Sequence, residues 1–198
     1  MTAPNADELT PENIVGFIGD IFARRGGEEY LGEPVTMAEH MLQGAHLAEE
    51  QGESEIIVVA ALLHDIGHFT SEFGTFSMAD TEDKHHEEAG ARVLQRFFPK
   101  VVTDCVRQHV AAKRYLCATD PAYFSQLSEA SVHSLRLQGG PMSKTEVAEF
   151  ERQPNLGEIV TVRRLDDAGK IAGMKTPPFS HYAPMLQRAV DVHCGKSG

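Results

Sequence analysis

A chain of 198 residues with 41% hydrophobic content is long enough for one domain with a sizeable core and short for two. A net charge of -11 argues against nucleic acid as a partner, because phosphate backbones are held by basic surfaces, and no apolar run approaches the ~20 residues of a membrane span. The start MTAPNADELTPEN is polar and acidic, and Cys105, Cys117 and Cys194 form no CxxC pair, so the chain reads as a cytoplasmic protein with ordinary thiols.

The first periodic segment runs from Pro11 to Arg24, with Ile14, Phe17, Ile18, Ile21 and Phe22 on one face, Thr10 as N-cap and Pro11 at the first helical position. Gly26 and Gly27 end it, and the segment from 26 to about 35, rich in glycine and charge with Pro34, reads as a lid loop. Thr36 with Glu39 predicts a capping box opening a helix to about Gln51, closed by Gly52. The run Ile56 to Leu63 predicts a buried helix that flows into His64 and Asp65 and ends at Gly67. Residues 69 to 81 read as a second loop, followed by helices at about 82–97 and 99–114. A helix from Pro121 towards Leu135, a break at Gly139, Gly140 and Pro141, a short acidic helix from Ser143 and a helix over 155–170 come next. Thr176, Pro177 and Pro178 precede a last amphipathic helix at about 181–193. No strand alternation or repeat appears, so the expected fold is all-α, a single helical bundle with a helical extension after 170.

Ten histidines are notable for where they sit, since His is the commonest metal ligand. His64 and Asp65 are adjacent, and neighbouring helix positions point about 100° apart, so both can reach a groove between helices. A lone His-Asp pair at a helix end reads equally well as a capping or salt-bridged pair. His40 stands on the preceding helix, and a short turn between the two brings them antiparallel. His86 opens HEEAGA, whose small residues permit close helix approach, and His109 lies in CVRQHVAAKRYL. In TVRRLDDAGK, Arg163, Asp166 and Lys170 share one face. That places a carboxylate able to bind metal between two cations, although such a run in isolation reads as a solvated charged helix.

The ordered set His40, His64-Asp65, His86, His109 and Asp166 resembles the HD-domain superfamily of helical metal-dependent enzymes. Within it, YLGEPVTMAEH, HDIGH, HEEAGA, HVAAKRYL and RRLDDAGK look like the mixed-valent diiron oxygenases of phosphonate breakdown. The resemblance implies a single HD domain around a dinuclear site with two iron ions in an Fe(II)/Fe(III) state and O₂ as co-substrate. One iron falls to His40, His64, Asp65 and Asp166, the other to Asp65, His86 and His109. A phosphonate falls to His68, Lys113, Ser131, Arg163 and Lys170, with Ser128 and Ser134 as rivals of Ser131 and Asp167 as rival of Asp166. Tyr30 and Glu33 fall to the lid, the tyrosine as a temporary iron ligand and the glutamate facing the substrate's cationic end. His85 and His133 read as surface or core residues.

The implied reaction is oxidative cleavage of the C-P bond of (R)-1-hydroxy-2-(trimethylammonio)ethylphosphonate to glycine betaine and phosphate. Alternatives are the same reaction on 2-amino-1-hydroxyethylphosphonate, giving glycine, or a metal-dependent phosphohydrolase, the superfamily's usual activity. A trimethylammonium group lacks N-H donors and suits aromatic faces, for which Tyr30, Phe69, Phe73, Phe76, Tyr115 and Tyr123 are candidates. The expected partner is this small molecule, with no nucleic acid and no membrane.

Overall fold

Local capping decides where the chain turns, and the computed structural model describes residues 8–30, 32–70 and 85–195. Among them the structure is helical: α1 (Ile14–Arg25), α2 (Met37–Glu50), α3 (Glu55–Leu63), α4 (Gly67–Thr70), α5 (His86–Leu94), α6 (Lys100–Thr119), α7 (Glu129–Leu137), α8 (Lys144–Phe150), α9 (Leu156–Ala168) and α10 (Phe179–His193). The one extended pairing among these residues is an isolated bridge between Glu29 and Thr36 at the two ends of the lid. No described helix is long and apolar enough to cross a membrane.

The capping box at Thr36 and Glu39 forms as the sequence predicts, and Ser143 and Glu146 form a second one before α8. The start of α1 differs from expectation. The Asn13 side chain accepts from the Thr10 N-H at 2.7 Å and donates to the Glu8 carbonyl. These bonds close a turn over residues 10 to 13, so the helix begins at Ile14 and Thr10 is not its N-cap. The helix expected from Pro121 is also interrupted. Residues Phe124–Gln126 make a single 3-10 turn, and Ser128 then accepts from the Ser131 N-H to cap α7 as a separate helix.

The core is organised around α3, whose residues Ile57 to Leu63 are all buried. A helix apolar on every side must sit in the middle, and α3 packs on α2, α6, α9 and α10. Burying each of its Ile, Val and Leu side chains contributes about 1.5–3 kcal/mol. Gly67 opens α4 rather than ending α3. An added Cβ there would lie 1.7 Å from the His86 carbonyl oxygen and 2.7 Å from the Gly90 nitrogen. Glycine at 67 thus lets the backbones of α4 and α5 touch, which sets His86 against the end of α3.

Candidate metal centre

Five helical segments each deliver one or two polar side chains to a common buried point. His40 comes from the first turns of α2, His64 and Asp65 from the end of α3, His86 from the start of α5, His109 from the middle of α6 and Asp166 from the end of α9. All six are buried. Polar groups are rarely buried without partners, so six such groups meeting at one buried point call for an account of what holds them there.

The two oxygens of Asp65 face different neighbours. Oδ2 lies 3.4 Å from Nε2 of both His40 and His64, whose Nε2 atoms are 3.0 Å apart, and Asp166 approaches the same two rings at 3.5 and 3.7 Å. Oδ1 lies 3.2 Å from Nε2 of both His86 and His109, which are 3.1 Å apart. The His68 ring stacks on His86 with centroids 3.9 Å apart, and its Nε2 is 3.8 Å from Asp65 Oδ1. Ligand atoms of His40, His64 and Asp65 lie within 4.8 Å of one another, as do those of Asp65, His68 and His86.

The rings are oriented from behind. Nδ1 of His40 donates to the Gly169 carbonyl at 2.8 Å, that of His64 to Ala61 at 2.7 Å and that of His109 to Val106 at 2.7 Å. Carbonyls only accept, so Nδ1 carries the proton and a neutral ring leaves Nε2 as a lone pair. Two lone pairs 3.0 Å apart need a cation between them. In the metal-free protein a proton on His64 serves: burial lowers its pKa, but Asp65 and Asp166 outweigh that and raise it to about 9. A metal ion serves as well and displaces that proton. Ligands about 2.1 Å from an ion and at right angles sit about 3.0 Å apart, which matches these spacings. Asp65 Oδ2 and Asp166 Oδ1 are buried with no hydrogen-bond partner among the described residues, and a bound cation removes that cost of about 1–3 kcal/mol or more each. The residues therefore fit two metal ions sharing Asp65.

Burial opposes charge on both carboxylates, yet His64 beside Asp65 and Arg163 beside Asp166 hold them well below the usual carboxylate range. Burial and the neighbouring His86 push His68 well down, and burial lowers His109. Imidazoles held neutral and carboxylates held ionised are the forms that bind metal.

A narrow pocket opens beside the cluster, lined by Tyr30, Asp65, His68, His86, His109, Lys113, Ser131, Ser134, Arg163, Asp166 and Lys170, with Val110 and Gln138. Three cations, Lys113, Arg163 and Lys170, face it. Lys113 Nζ donates to Ser134 Oγ at 2.7 Å, Lys170 Nζ to Ser131 Oγ at 2.9 Å, and Arg163 Nη1 lies 2.6 Å from Asp166 Oδ2. Burial, with Arg163 adding like charge, lowers the Lys113 ammonium to about 7. The lid closes over this point. Tyr30 is buried, its ring stacked on His40 with centroids 3.9 Å apart, and the Lys170 ammonium sits 5.8 Å above that ring. Burial and the carboxylates of Asp65 and Asp166 push the Tyr30 hydroxyl far above its ordinary pKa. Glu33 accepts a hydrogen bond from the Ser128 hydroxyl and stands 3.6 Å from Lys170.

The residues expected in the site are thus brought together, and the choice at 166 and 167 is visible: Asp166 faces the histidines while Asp167 pairs with Arg163 and Tyr123. Ser134 lines the pocket together with Ser131, whereas Ser128 caps α7 and holds Glu33. Gln138 and Val110 were not anticipated; the spacing 131, 134, 138 on one helix face is the signal that finds Gln138. The expected aromatic face is not assembled from the described residues other than Tyr30. Phe69 packs on Phe22 and Arg25, Tyr115 on Phe150, and Tyr123 hydrogen-bonds Asp167, each drawn to a different helix contact. Phe73 and Phe76 lie outside the described residues. His85 is an exposed residue with positive φ before α5, and His133 lies half-buried on α7 and is not among the residues lining the pocket.

Comparison with known proteins supplies the context. Residues 37–147 match the family described as HD domain. The chain is 69% identical over 195 residues, 98% of its own length and 100% of the relative's, to the 1-hydroxy-2-(trimethylamino)ethylphosphonate dioxygenase (glycine-betaine-forming) of Leisingera caerulea. It is 45% identical over 166 residues, 83% of each chain, to a hydroxymethylphosphonate dioxygenase of Gimesia maris. A third relative, 36% identical over 174 residues (87% of this chain, 80% of the other), is an uncharacterised protein of Acanthamoeba polyphaga mimivirus.

Proposed function

Because this chain belongs to the HD-domain family, we propose that its buried cluster holds two iron ions and that it is a dioxygenase cleaving the C-P bond of 1-hydroxy-2-(trimethylamino)ethylphosphonate to glycine betaine and phosphate. The relative covering nearly the whole chain bears the name of that activity. The observation that carries the reading is the split of Asp65 between two pairs of histidines, each oxygen 3.2 to 3.4 Å from its pair, beside a pocket holding Lys113, Arg163 and Lys170.

In this reading His40, His64, Asp65 and Asp166 hold one ion, and Asp65, His86 and His109 the other. Imidazole and carboxylate ligands with positions left open suit iron that must meet O₂, and the iron pair supplies the oxygen chemistry. The protein binds and orients. Lys113, Arg163 and Lys170, with Ser131 and His68, hold the phosphonate, since charge-assisted hydrogen bonds suit a dianion. That grip turns C1 of the substrate towards the metal side of the pocket. Tyr30 occupies the mouth over His40, so an entering substrate displaces it, and Glu33 on the same lid carries the negative charge for the ammonium end. Atoms and electrons balance without a reductant: the hydroxyphosphonate and O₂ together become carboxylate, hydrogen phosphate and one proton.

Turnover of the trimethylammonio compound, the 2-amino compound and hydroxymethylphosphonate, compared at equal iron loading, tests the substrate. The expected result is the highest kcat/KM for the trimethylammonio compound. A tenfold preference for either of the others contradicts the assignment.

A further inference from the structure

Arg163 is almost fully buried, and its guanidinium is divided between two carboxylates. Nη1 lies 2.6 Å from Asp166 Oδ2, while Nε, at 3.1 Å, and Nη2 both donate to Asp167. Asp167 accepts a further hydrogen bond from the Tyr123 hydroxyl. Tyr123 is buried, with Arg164 6.0 Å above its ring, and Arg164 is tied to Asp120 at 3.2 Å. Arg163 and Asp166 line the pocket, but Tyr123 and Asp167 do not. A chain of contacts therefore runs from outside the pocket, through Asp167, to a cation inside it.

We propose that Asp167, backed by Tyr123, is the positioning residue that aims Arg163 at the phosphonate, a role that rests on the activity proposed above. Two parallel bonds to the Nε and Nη2 edge fix the plane of a guanidinium as one bond does not. With that edge held, the Nη1 edge is left pointing at Asp166 and the pocket. Once Asp166 shares its charge with a metal ion, Asp167 is the carboxylate that compensates the buried Arg163 charge, and Nη1 is released to a phosphonate oxygen. The Tyr123 hydroxyl holds the Asp167 carboxylate beside the Arg163 guanidinium rather than towards water, which matters because the Asp167 side chain is 22% exposed while Arg163 is 4% exposed. The Asp-Asp pair at 166 and 167 thus divides the work: the first faces the metal cluster, and the second holds the cation beside it.

Iron-loaded parent, D167N, Y123F and the double variant are compared anaerobically for affinity toward inorganic phosphate, and in air for KM and kcat, with iron content and unfolding temperature recorded. D167N is expected to weaken phosphate binding and raise KM by tenfold or more, with kcat changed less than threefold and two irons retained. Y123F is expected to weaken phosphate binding and raise KM about threefold on its own and to have no further effect in the D167N background, because it acts through Asp167. Unchanged phosphate affinity in D167N, or a Y123F effect that persists in full beside D167N, overturns the proposal. If D167N does not fold, Y123F decides: phosphate affinity equal to the parent's overturns it. A parent inert towards phosphonates that still holds phosphate tenfold more tightly than D167N contradicts the substrate reading and supports the positioning pair.

Discussion

Replacing Gly67 by alanine puts a methyl group where no side chain motion can make room. The new Cβ would stand 1.7 Å from the His86 carbonyl oxygen and 2.7 Å from both the His86 carbonyl carbon and the Gly90 nitrogen. Ordinary contact needs about 3.5 Å, so α4 and α5 must separate by roughly 1.5–2 Å. Overpacking of a core costs about 1–3 kcal/mol, and obstruction by the backbone of α5 rather than by a movable side chain places this case near 3. At this chain length each kcal/mol lowers the melting temperature by about 2–4 °C, which gives a drop of about 6–12 °C. The shift falls on His86, which stands 3.2 Å from Asp65 Oδ1, and spares the α2, α3 and α9 positions of His40, His64 and Asp166. Calorimetry and metal analysis of G67A should therefore show lower stability and loss of about one of the two ions. A melting temperature within 2 °C of the parent's together with two tightly held ions would refute the reasoning.

Gly16, exposed on α1 with nothing within 4 Å of an added Cβ, predicts the opposite sign: G16A should stabilise by about 0.5–1 kcal/mol, read as a rise of a few degrees in the same calorimetry. Asp65→Ala removes the one carboxylate that both halves of the cluster share, so affinity for both ions should fall by more than the roughly 10–100-fold lost with an outer-shell partner; metal titration that finds one site intact contradicts the shared role. Lys113, lowered by burial to about 7, should regain its proton when a phosphonate binds, so binding near pH 8 takes up about one proton, measured from the enthalpy difference between HEPES and Tris buffers and absent in K113M. For the same reason its folded pKa lies below the unfolded value of about 10.4. The unfolded chain then binds more protons between pH 7 and 10, and Lys113 contributes a rise in stability across that window.

The helical architecture is legible in local pattern, from the caps at Thr36 and Ser143 to the fully apolar run of α3, whereas the set His40, His64, Asp65, His86, His109 and Asp166, which the structure buries together, stands out in the sequence only through its ordered resemblance to the HD-domain superfamily. The choice of Asp166 over Asp167 rests on that resemblance and on a helix face shared with Arg163 and Lys170, and Asp166 is the one of the two that stands 3.5 and 3.7 Å from His40 and His64. What was not legible is tertiary. Asn13 outcompetes Thr10 as the cap because its side chain reaches back to Thr10 and Glu8, and the segment after Pro121 is broken by a hydroxyl cap at Ser128. Gly67 reads as a helix stop and is a contact point with the first turn of α5, which begins 19 residues further along the chain at His86, a relation no local pattern encodes. Of the aromatic candidates Tyr30 lines the pocket, while Phe69 and Tyr115 pack elsewhere: hydrophobicity marks them as interior or half-interior, but which helix each meets is decided by packing.

The most direct test of the account is the stoichiometry of turnover by the iron-loaded protein with 1-hydroxy-2-(trimethylammonio)ethylphosphonate, following O₂ uptake, phosphate and glycine betaine together. The account predicts one phosphate and one glycine betaine for each O₂ consumed, with no reductant added. Phosphate released without O₂ consumption would contradict it and place the same metal cluster in hydrolytic chemistry.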